Sequence, residues 1–361
     1  MPSPAHPRVV LIYKRYGSGG YYIDLSTHAL VQQGIDVVVD PQLRIRRVLR
    51  SGPAHIIHLQ FPEELYKARS RTSLLARSFW VLFLLLTLRV RGAYLFWTFH
   101  DDIPHESAMI PLVDRVMRRT LARLCNVIIV HNTYAADALR RLYTPNARIV
   151  RVPLGNMVGF FPRETVTKAE ARRRLGIAAD RRVYLFFGRM RWYKGVDDLI
   201  TAFRALQRTD AILLLAGVPA GRTWDLAGTR RTFMELVGND PRIIARFEWI
   251  PREEVALYFR AADVAVFPFR RVTTSATVMT ALSFGLPIIA PWIGSMPEMV
   301  TDDVGHLYDP QSPDALARAL DWAYTADLER SAAAARRRAE KDTWDGFSRE
   351  MAVLYRSLAT P

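Results

Sequence analysis

The residues best suited to chemistry fall into four segments. In Phe186-Phe-Gly-Arg-Met-Arg-Trp-Tyr-Lys-Gly-Val, a strand-like run ends on Gly188, which admits close backbone approach. Arg189 and Lys194 follow before a helix begins near Gly195. Two cations at a strand-to-helix turn can hold a diphosphate, and the helix N-terminus adds partial positive charge. On spacing alone they could equally coat a loop. In Phe267-Pro-Phe-Arg-Arg-Val-Thr-Thr-Ser, a second strand feeds Thr273, Thr274 and Ser275 into a helix start. Hydroxyls there can cap the helix while free amides face an anion, although an ordinary N-cap has the same pattern. Arg270 is a further donor-binding candidate that could add charge to the diphosphate seat, and Glu298, after the next strand, offers a carboxylate to ribose hydroxyls.

The third segment, Trp97-Thr-Phe-His-Asp-Asp-Ile-Pro-His-Glu, gathers His100, Asp101, Asp102, His105 and Glu106 at the end of another strand. A general base needs such a group with a tuned pKa. Competing uses are a helix cap at Asp102, a packed imidazole at His105, and a metal site, since His and Asp are ligand types. An extended turn does not converge five side chains without outside help, so no metal is expected. The fourth segment, Tyr13-Lys-Arg-Tyr-Gly-Ser-Gly-Gly, carries Gly17, Ser18 and Gly19 after the first strand. It has neither Gly-x-Gly-x-x-Gly nor a Lys-Ser/Thr ending, so a glycine-rich loop admitting an acceptor is the better reading, with His105 on the same side.

These segments need strands that end on one edge. Apolar, β-branched or aromatic runs occur at 9–13, 35–39, 55–59, 94–99 and 127–131, with helix-like stretches at 21–33, 43–50, 72–90 and 108–124. The second half repeats the rhythm, with strands at 183–187, 211–216, 243–247, 264–267 and 287–290. Its helices fall near 194–207, 226–237, 252–261, 274–284 and 312–325. Such alternation predicts α/β architecture: two doubly wound, Rossmann-like parallel sheets facing a central crevice, with ligands outside the carboxyl ends of the strands. The expected organisation is an N-terminal acceptor-binding domain over 1–165, a nucleotide-sugar-binding domain over 166–340, and a terminal helix over 341–361.

Composition narrows the function further. With 361 residues, half of them hydrophobic, the chain is long enough for two cores and is not disordered. The single cysteine excludes an intramolecular disulfide and multi-cysteine zinc patterns. The first residues lack an apolar signal core, so the cytoplasm is the expected compartment. Of the net charge of +15, residues 1–161 carry +11 and the remainder +4. A basic N-terminal half suits an anionic surface, as well as the plainer role of solvation. The apolar run Ser78–Leu88 sits among Arg69, Arg71, Arg77, Arg89 and Arg91. It is too short to span a bilayer but suits either a core helix or a helix seated in the headgroup region.

In this order the segments resemble the GT-B glycosyltransferases, over nearly the whole chain. Gly188-Arg-Met-Arg-Trp-Tyr-Lys194-Gly is similar to the donor-side Gly-Arg-…-Lys-Gly signature, which implies Arg189 and Lys194 on a sugar-nucleotide diphosphate. Ala281-Leu-Ser-Phe-Gly-Leu-Pro is similar to the Glu-Ala-Met-Ala-x-Gly-x-Pro segment, and the terminal helix to one that braces the N-terminal domain. Retaining GT4-type members have two glutamates eight positions apart where this chain has Val272 and Thr280. With the His100–Glu106 segment, this form resembles bacterial exopolysaccharide β-mannosyltransferases of the xanthan type. That resemblance implies an inverting transfer from GDP-mannose to a polyprenyl-diphosphate-linked oligosaccharide, with a retaining or UDP-sugar-dependent transferase as the alternative; no metal is required if Arg189, Lys194 and the Thr273–Ser275 helix start support the leaving diphosphate. No cofactor beyond the nucleotide-sugar co-substrate is implied. Glu106 or His100 would be the base, with Asp101 as a third choice. Asp101 stands where asparagine is common, and Leu154 where histidine is common. A peripheral seat on the inner face of the cell membrane follows. A sugar-nucleotide epimerase would use the same diphosphate seat, and the charge alone would fit a nucleic-acid-binding protein. No aromatic-basic interleaving or helix-turn-helix spacing supports the latter, so no nucleic-acid partner is expected.

Overall fold

The computed structural model describes residues 8–13, 20–40, 56–68, 70–101, 110–162, 164–220 and 226–359. The expected helix at 43–50 lies outside them. The chain divides into two units, Met1–Gly155 with Asp342–Pro361, and Asn156–Lys341.

In the first unit, strands β1 (Arg8–Ile12), β2 (Asp36–Asp40), β3 (Ile56–Leu59), β4 (Tyr94–Thr98), β5 (Val127–Val130) and β6 (Arg148–Arg151) form one sheet in the order β2-β1-β3-β4-β5-β6. Every pairing is parallel. Parallel strands require crossovers, which place helices on both faces and bury the central strands. β3 and β5 are accordingly buried at every position. The Arg71–Val90 helix joins β3 to β4. It starts where the Ser70 hydroxyl accepts from the Ser73 amide at 3.2 Å.

The terminal helix, Trp344–Ala359, belongs to this unit. It packs on the Gly20–Gln32 helix, where Tyr22 meets the Trp344 and Phe347 rings at 5.6 and 6.2 Å. Gln33 donates to Asp345. Gly155 lies against Trp344, and a Cβ there would come within 2.4 Å of the indole.

The second unit has strands β7 (Arg182–Phe187), β8 (Ala211–Ala216), β9 (Ile243–Arg246), β10 (Val264–Val266), β11 (Ile288–Pro291) and β12 (Gly305–Tyr308). Its order, β9-β8-β7-β10-β11-β12, is that of a dinucleotide-binding sheet, again all parallel. The two units are thus Rossmann-like α/β sheets, as the alternation of strands and helices predicts. The division falls before residue 165 because residues 156–160 are tied into the second unit. Asn156 donates to the Ala339 carbonyl, the Met157 amide to Ser283 Oγ, and Arg252 to the Phe160 carbonyl.

Candidate functional site

The chain leaves β7 toward β8 on one side and β10 toward β11 on the other. The carboxyl ends of β7 and β10 are therefore the switch point of the second sheet, where doubly wound proteins bind ligands. Both segments singled out as anion seats lie there. Gly188 (φ +119°) ends β7, and the turn continues through the short Trp192–Lys194 helix to Gly195 (φ +64°). The Val196–Ala205 helix begins directly after that left-handed residue, which L side chains avoid.

Glycines bring four loops of this edge into backbone contact. A Cβ at Gly217 would lie 2.1 Å from the Gly188 carbonyl oxygen, joining the loops after β8 and β7. A Cβ at Gly195 would lie 2.0 Å from the Pro268 oxygen, joining those after β7 and β10. One at Gly294 would lie 2.0 Å from the Val272 oxygen, bringing in the loop after β11. The Arg270 amide adds a hydrogen bond to the Tyr193 carbonyl at 2.8 Å.

The polar groups of this edge follow from that packing. Lys194 Nζ stands 5.5 Å from the centre of the Phe269 ring. A Cβ at Gly188 would sit 3.8 Å from that ammonium and 3.5 Å from Thr277 Oγ1, so the missing side chain leaves room beside a cation and a hydroxyl. Arg189 stands one residue further along the same turn, half-buried. Ser275 caps the Ala276–Ser283 helix by accepting from the Val278 amide. Thr273 is buried and Thr274 half-buried in the loop ahead of it. The Arg270 guanidinium is taken up by Asp197 and Asp198, each at 2.7 Å, and by the Trp192 carbonyl. Its evident work is to fasten the loop after β10 to the start of the Val196–Ala205 helix. Glu298 lies on the Met296–Met299 turn that follows β11. Val272 is buried, and the Thr280 hydroxyl donates to its own helix at Ala276.

In the first unit, His100 and Asp101 follow β4 at the carboxyl edge of the sheet. His100 stacks on Phe61 (4.3 Å between centroids) and meets the Tyr22 ring edge-on at 5.0 Å. Its Nε2 is 3.0 Å from Gln60 Oε1, which can only accept, so the proton sits on Nε2. Behind Gln60 lies His58, whose Nδ1 is 2.6 Å from the Tyr355 hydroxyl and whose Nε2 is 2.8 Å from Thr98 Oγ1. His131, after β5, lies 5.3 Å from His100 between ring centroids and 2.9 Å, through Nδ1, from the Val152 oxygen. Burial lowers the His58 pKa to about 3, with the neighbouring His131 adding to the effect. Burial also lowers His131 to about 4, against the Val152 hydrogen bond. Both imidazoles are therefore neutral at physiological pH.

The backbone at Asp101 is fixed from below. Buried Arg118 donates to the Asp101 carbonyl at 2.9 Å, while Asp114 and Glu63 hold its guanidinium at 3.1 and 3.4 Å. Tyr66 donates to the same Asp114. Gly17, Ser18, Gly19, Asp102, His105 and Glu106 lie outside the described residues. Among the described residues, no group of three or more His, Cys, Asp or Glu side chains is placed to hold a metal ion.

Sequence reasoning missed several residues here. Thr277 passes for an ordinary helix residue, and His58 hides inside an apolar strand. Gln60, His131, Arg118 and Tyr355 are each polar groups spaced far apart in the chain. The one available signal was a histidine and a glutamine within and just after a run otherwise written as buried strand.

Two Rossmann-like sheets, with a glycine-lined, cationic turn at the switch point of the second, are the architecture of the GT-B fold. Residues 167–342 match the family Glycosyl transferases group 1, so the second unit is a domain of that kind. GDP-mannose:glycolipid 4-beta-D-mannosyltransferase of Xanthomonas campestris pv. campestris is 26% identical over 257 residues, 69% of this chain and 64% of that protein. D-inositol 3-phosphate glycosyltransferase of Streptomyces scabiei is 31% identical over 271 residues, 71% of this chain and 58% of that protein. The matches thus span about three fifths of these relatives' lengths. Among solved structures, sucrose-phosphate synthase from Thermosynechococcus elongatus shares the fold with a TM-score of 0.78 at 20% identity, over 98% of this chain and 99% of that one. HepE of Anabaena in complex with UDP and glucose does so with a TM-score of 0.69 at 16% identity, over 98% and 100%.

Proposed function

We propose that the protein transfers a hexose from a nucleoside-diphosphate sugar, GDP-mannose, to a polyprenyl-diphosphate-linked oligosaccharide, at the inner face of the cell membrane in the synthesis of an exopolysaccharide or cell-surface glycan. The observation that carries this reading is the seat beside Gly188, where Lys194 Nζ and Thr277 Oγ1 border space that a side chain would fill. The mannose donor and glycolipid acceptor named for the Xanthomonas relative support the finer choice.

In this reading the donor diphosphate lies along the Gly188–Lys194 turn. Arg189 and Lys194 supply charge, while Thr273, Thr274 and the amides beyond Ser275 supply hydrogen bonds. Glu298 takes the ribose hydroxyls, and Arg270 keeps the loops in register. A base of the first unit, His100, Asp101 or Glu106, removes the acceptor hydroxyl proton. The freed oxygen bonds to the anomeric carbon, and the glycosidic bonding pair leaves with the nucleotide diphosphate, inverting the centre. The cations neutralise the charge that grows on the leaving group, so the step needs no metal. Gly17, Ser18, Gly19 and His105 would receive the acceptor.

A UDP-sugar is the second reading, favoured by the UDP and glucose of the HepE structure. The experiment is a donor screen by thermal shift and product analysis, with GDP-mannose, UDP-glucose and UDP-glucuronate, on wild type and Lys194→Ala. Stabilisation by GDP-mannose that disappears in the variant is expected. Response to UDP compounds alone would replace the sugar, and no response to any would remove the reading.

A further inference from the structure

The Arg71–Val90 helix presents two apolar faces. One packs into the core of the first unit through Leu74, Val81, Leu84, Leu85 and Leu88. The other carries Leu75, Phe79, Trp80, Phe83, Leu86 and Val90, each at least half exposed, with Phe79 at 72% and Val90 at 80%. Apart from Trp80, these recur at the three- and four-residue steps that align side chains on one side of a helix. The aromatic rings stack on one another, Phe79 on Phe83 at 6.4 Å and Trp80 on Phe83 at 5.8 Å. An exposed apolar stripe of this length is costly in water and marks a contact surface.

The exposed charges of this helix and of the Pro111–Leu124 helix beside it are all basic, and Glu64 on the adjoining Glu63–Tyr66 turn is paired with Lys67. Arg71, Arg77 and Arg89 are exposed on the same helix, which contains no carboxylate. The Pro111–Leu124 helix packs alongside and exposes Leu112 and Val116 together with Arg115, Arg119 and Arg123. Its one carboxylate, Asp114, is buried against Arg118. Aromatic and aliphatic side chains flanked by arginines match the chemistry of an anionic lipid surface, with rings at the acyl boundary and guanidiniums at the phosphates.

By length and composition this helix could cross a bilayer. Its place in the fold prevents that. It is the crossover between neighbouring parallel strands, with Ile56 paired to Tyr94, and its inner face fills the core over the sheet. Only the outer face is available. We infer that this face is a membrane-docking surface that seats the first unit on anionic phospholipid by in-plane insertion of Phe79, Trp80 and Phe83. The inference deepens the proposed transfer to a lipid-linked acceptor, and rests on that reading for its purpose only.

The test is co-sedimentation of the full chain with vesicles of phosphatidylcholine alone and of an equimolar phosphatidylcholine–phosphatidylglycerol mixture. Wild type should partition onto the mixed vesicles. The triple variant Phe79→Ser, Trp80→Ser, Phe83→Ser should lose at least about tenfold of that partitioning. Arg115→Glu, Arg119→Glu, Arg123→Glu should lose the preference for the anionic mixture. All these side chains are exposed, so both variants should keep the wild-type circular dichroism and melting temperature. Failure of wild type to bind vesicles, or equal binding by the apolar variant, overturns the inference. So does a wild-type dimer without vesicle binding that the apolar variant turns into a monomer, since the occupant would then be a second copy. Donor stabilisation by GDP-mannose is read in parallel. Vesicle binding without a donor response leaves the surface and removes the transfer reading, and the converse removes the surface alone.

Discussion

Lowering the pH from 7.5 to 5.5 should destabilise the first unit through two buried histidines. Above the ordinary imidazole value of 6.5, His58 and His131 are neutral in both folded and unfolded chains and add no pH dependence. Below it the unfolded chain binds protons at both sites. The folded chain resists until about 4 for His131 and about 3 for His58, because burial opposes the charge. Stability therefore falls as pH drops from 6.5 toward 4. With these values the two imidazoles together cost about 3 kcal/mol at pH 5.5. Native-state hydrogen exchange of the β3–β5 amides, corrected for intrinsic exchange, reads the first unit alone. The double variant His58→Gln, His131→Asn should be less stable at pH 7.5 yet much flatter between the two pH values. Other histidines of the unit remain in both proteins, so their effects cancel in the comparison. A wild-type loss below about 1 kcal/mol, or an equal loss in the double variant, would refute the assignment of buried neutral imidazoles.

Three further outcomes follow from the same geometry. Gly195→Ala places a Cβ against the Pro268 oxygen at a left-handed residue, at a cost of at least about 1–2 kcal/mol. It should weaken donor-induced thermal stabilisation, and normal donor affinity would show that the two loops need not touch. Arg118→Met leaves Asp114 and Glu63 without their guanidinium and should cost about 3–5 kcal/mol in urea unfolding. A loss under about 1 kcal/mol would mean that water replaces the arginine. Tyr355→Phe removes the hydroxyl partner of His58 and should cost about 1–3 kcal/mol, with the donor response of the second unit unchanged. A donor response lost with it would show that His58 acts beyond the first unit.

What could be read from residues alone is what local physics encodes. A strand buried on both faces must be apolar along its length, so β1, β3, β5, β8 and β11 stand out as runs, and the helical stretches between them dictate a parallel α/β fold. The cationic turn after β7 and the hydroxyl-rich start after β10 are likewise contiguous, and so could be picked out before their neighbours were known. The edge strands β6 and β12 escaped notice because each is four residues long and only partly buried, which leaves little apolar signal. The linkage of His100 through Gln60 and His58 to Tyr355 could not be read from any one segment. His58 and Tyr355 are 297 residues apart, and only the docking of the terminal helix makes them partners. The contacts of Gly195 with Pro268 and of Gly294 with Val272 are of the same kind. A glycine's identity permits close approach, but the approach itself depends on β7 lying beside β10 and β10 beside β11. Strand order is a property of the whole packed sheet, and no window of sequence contains it.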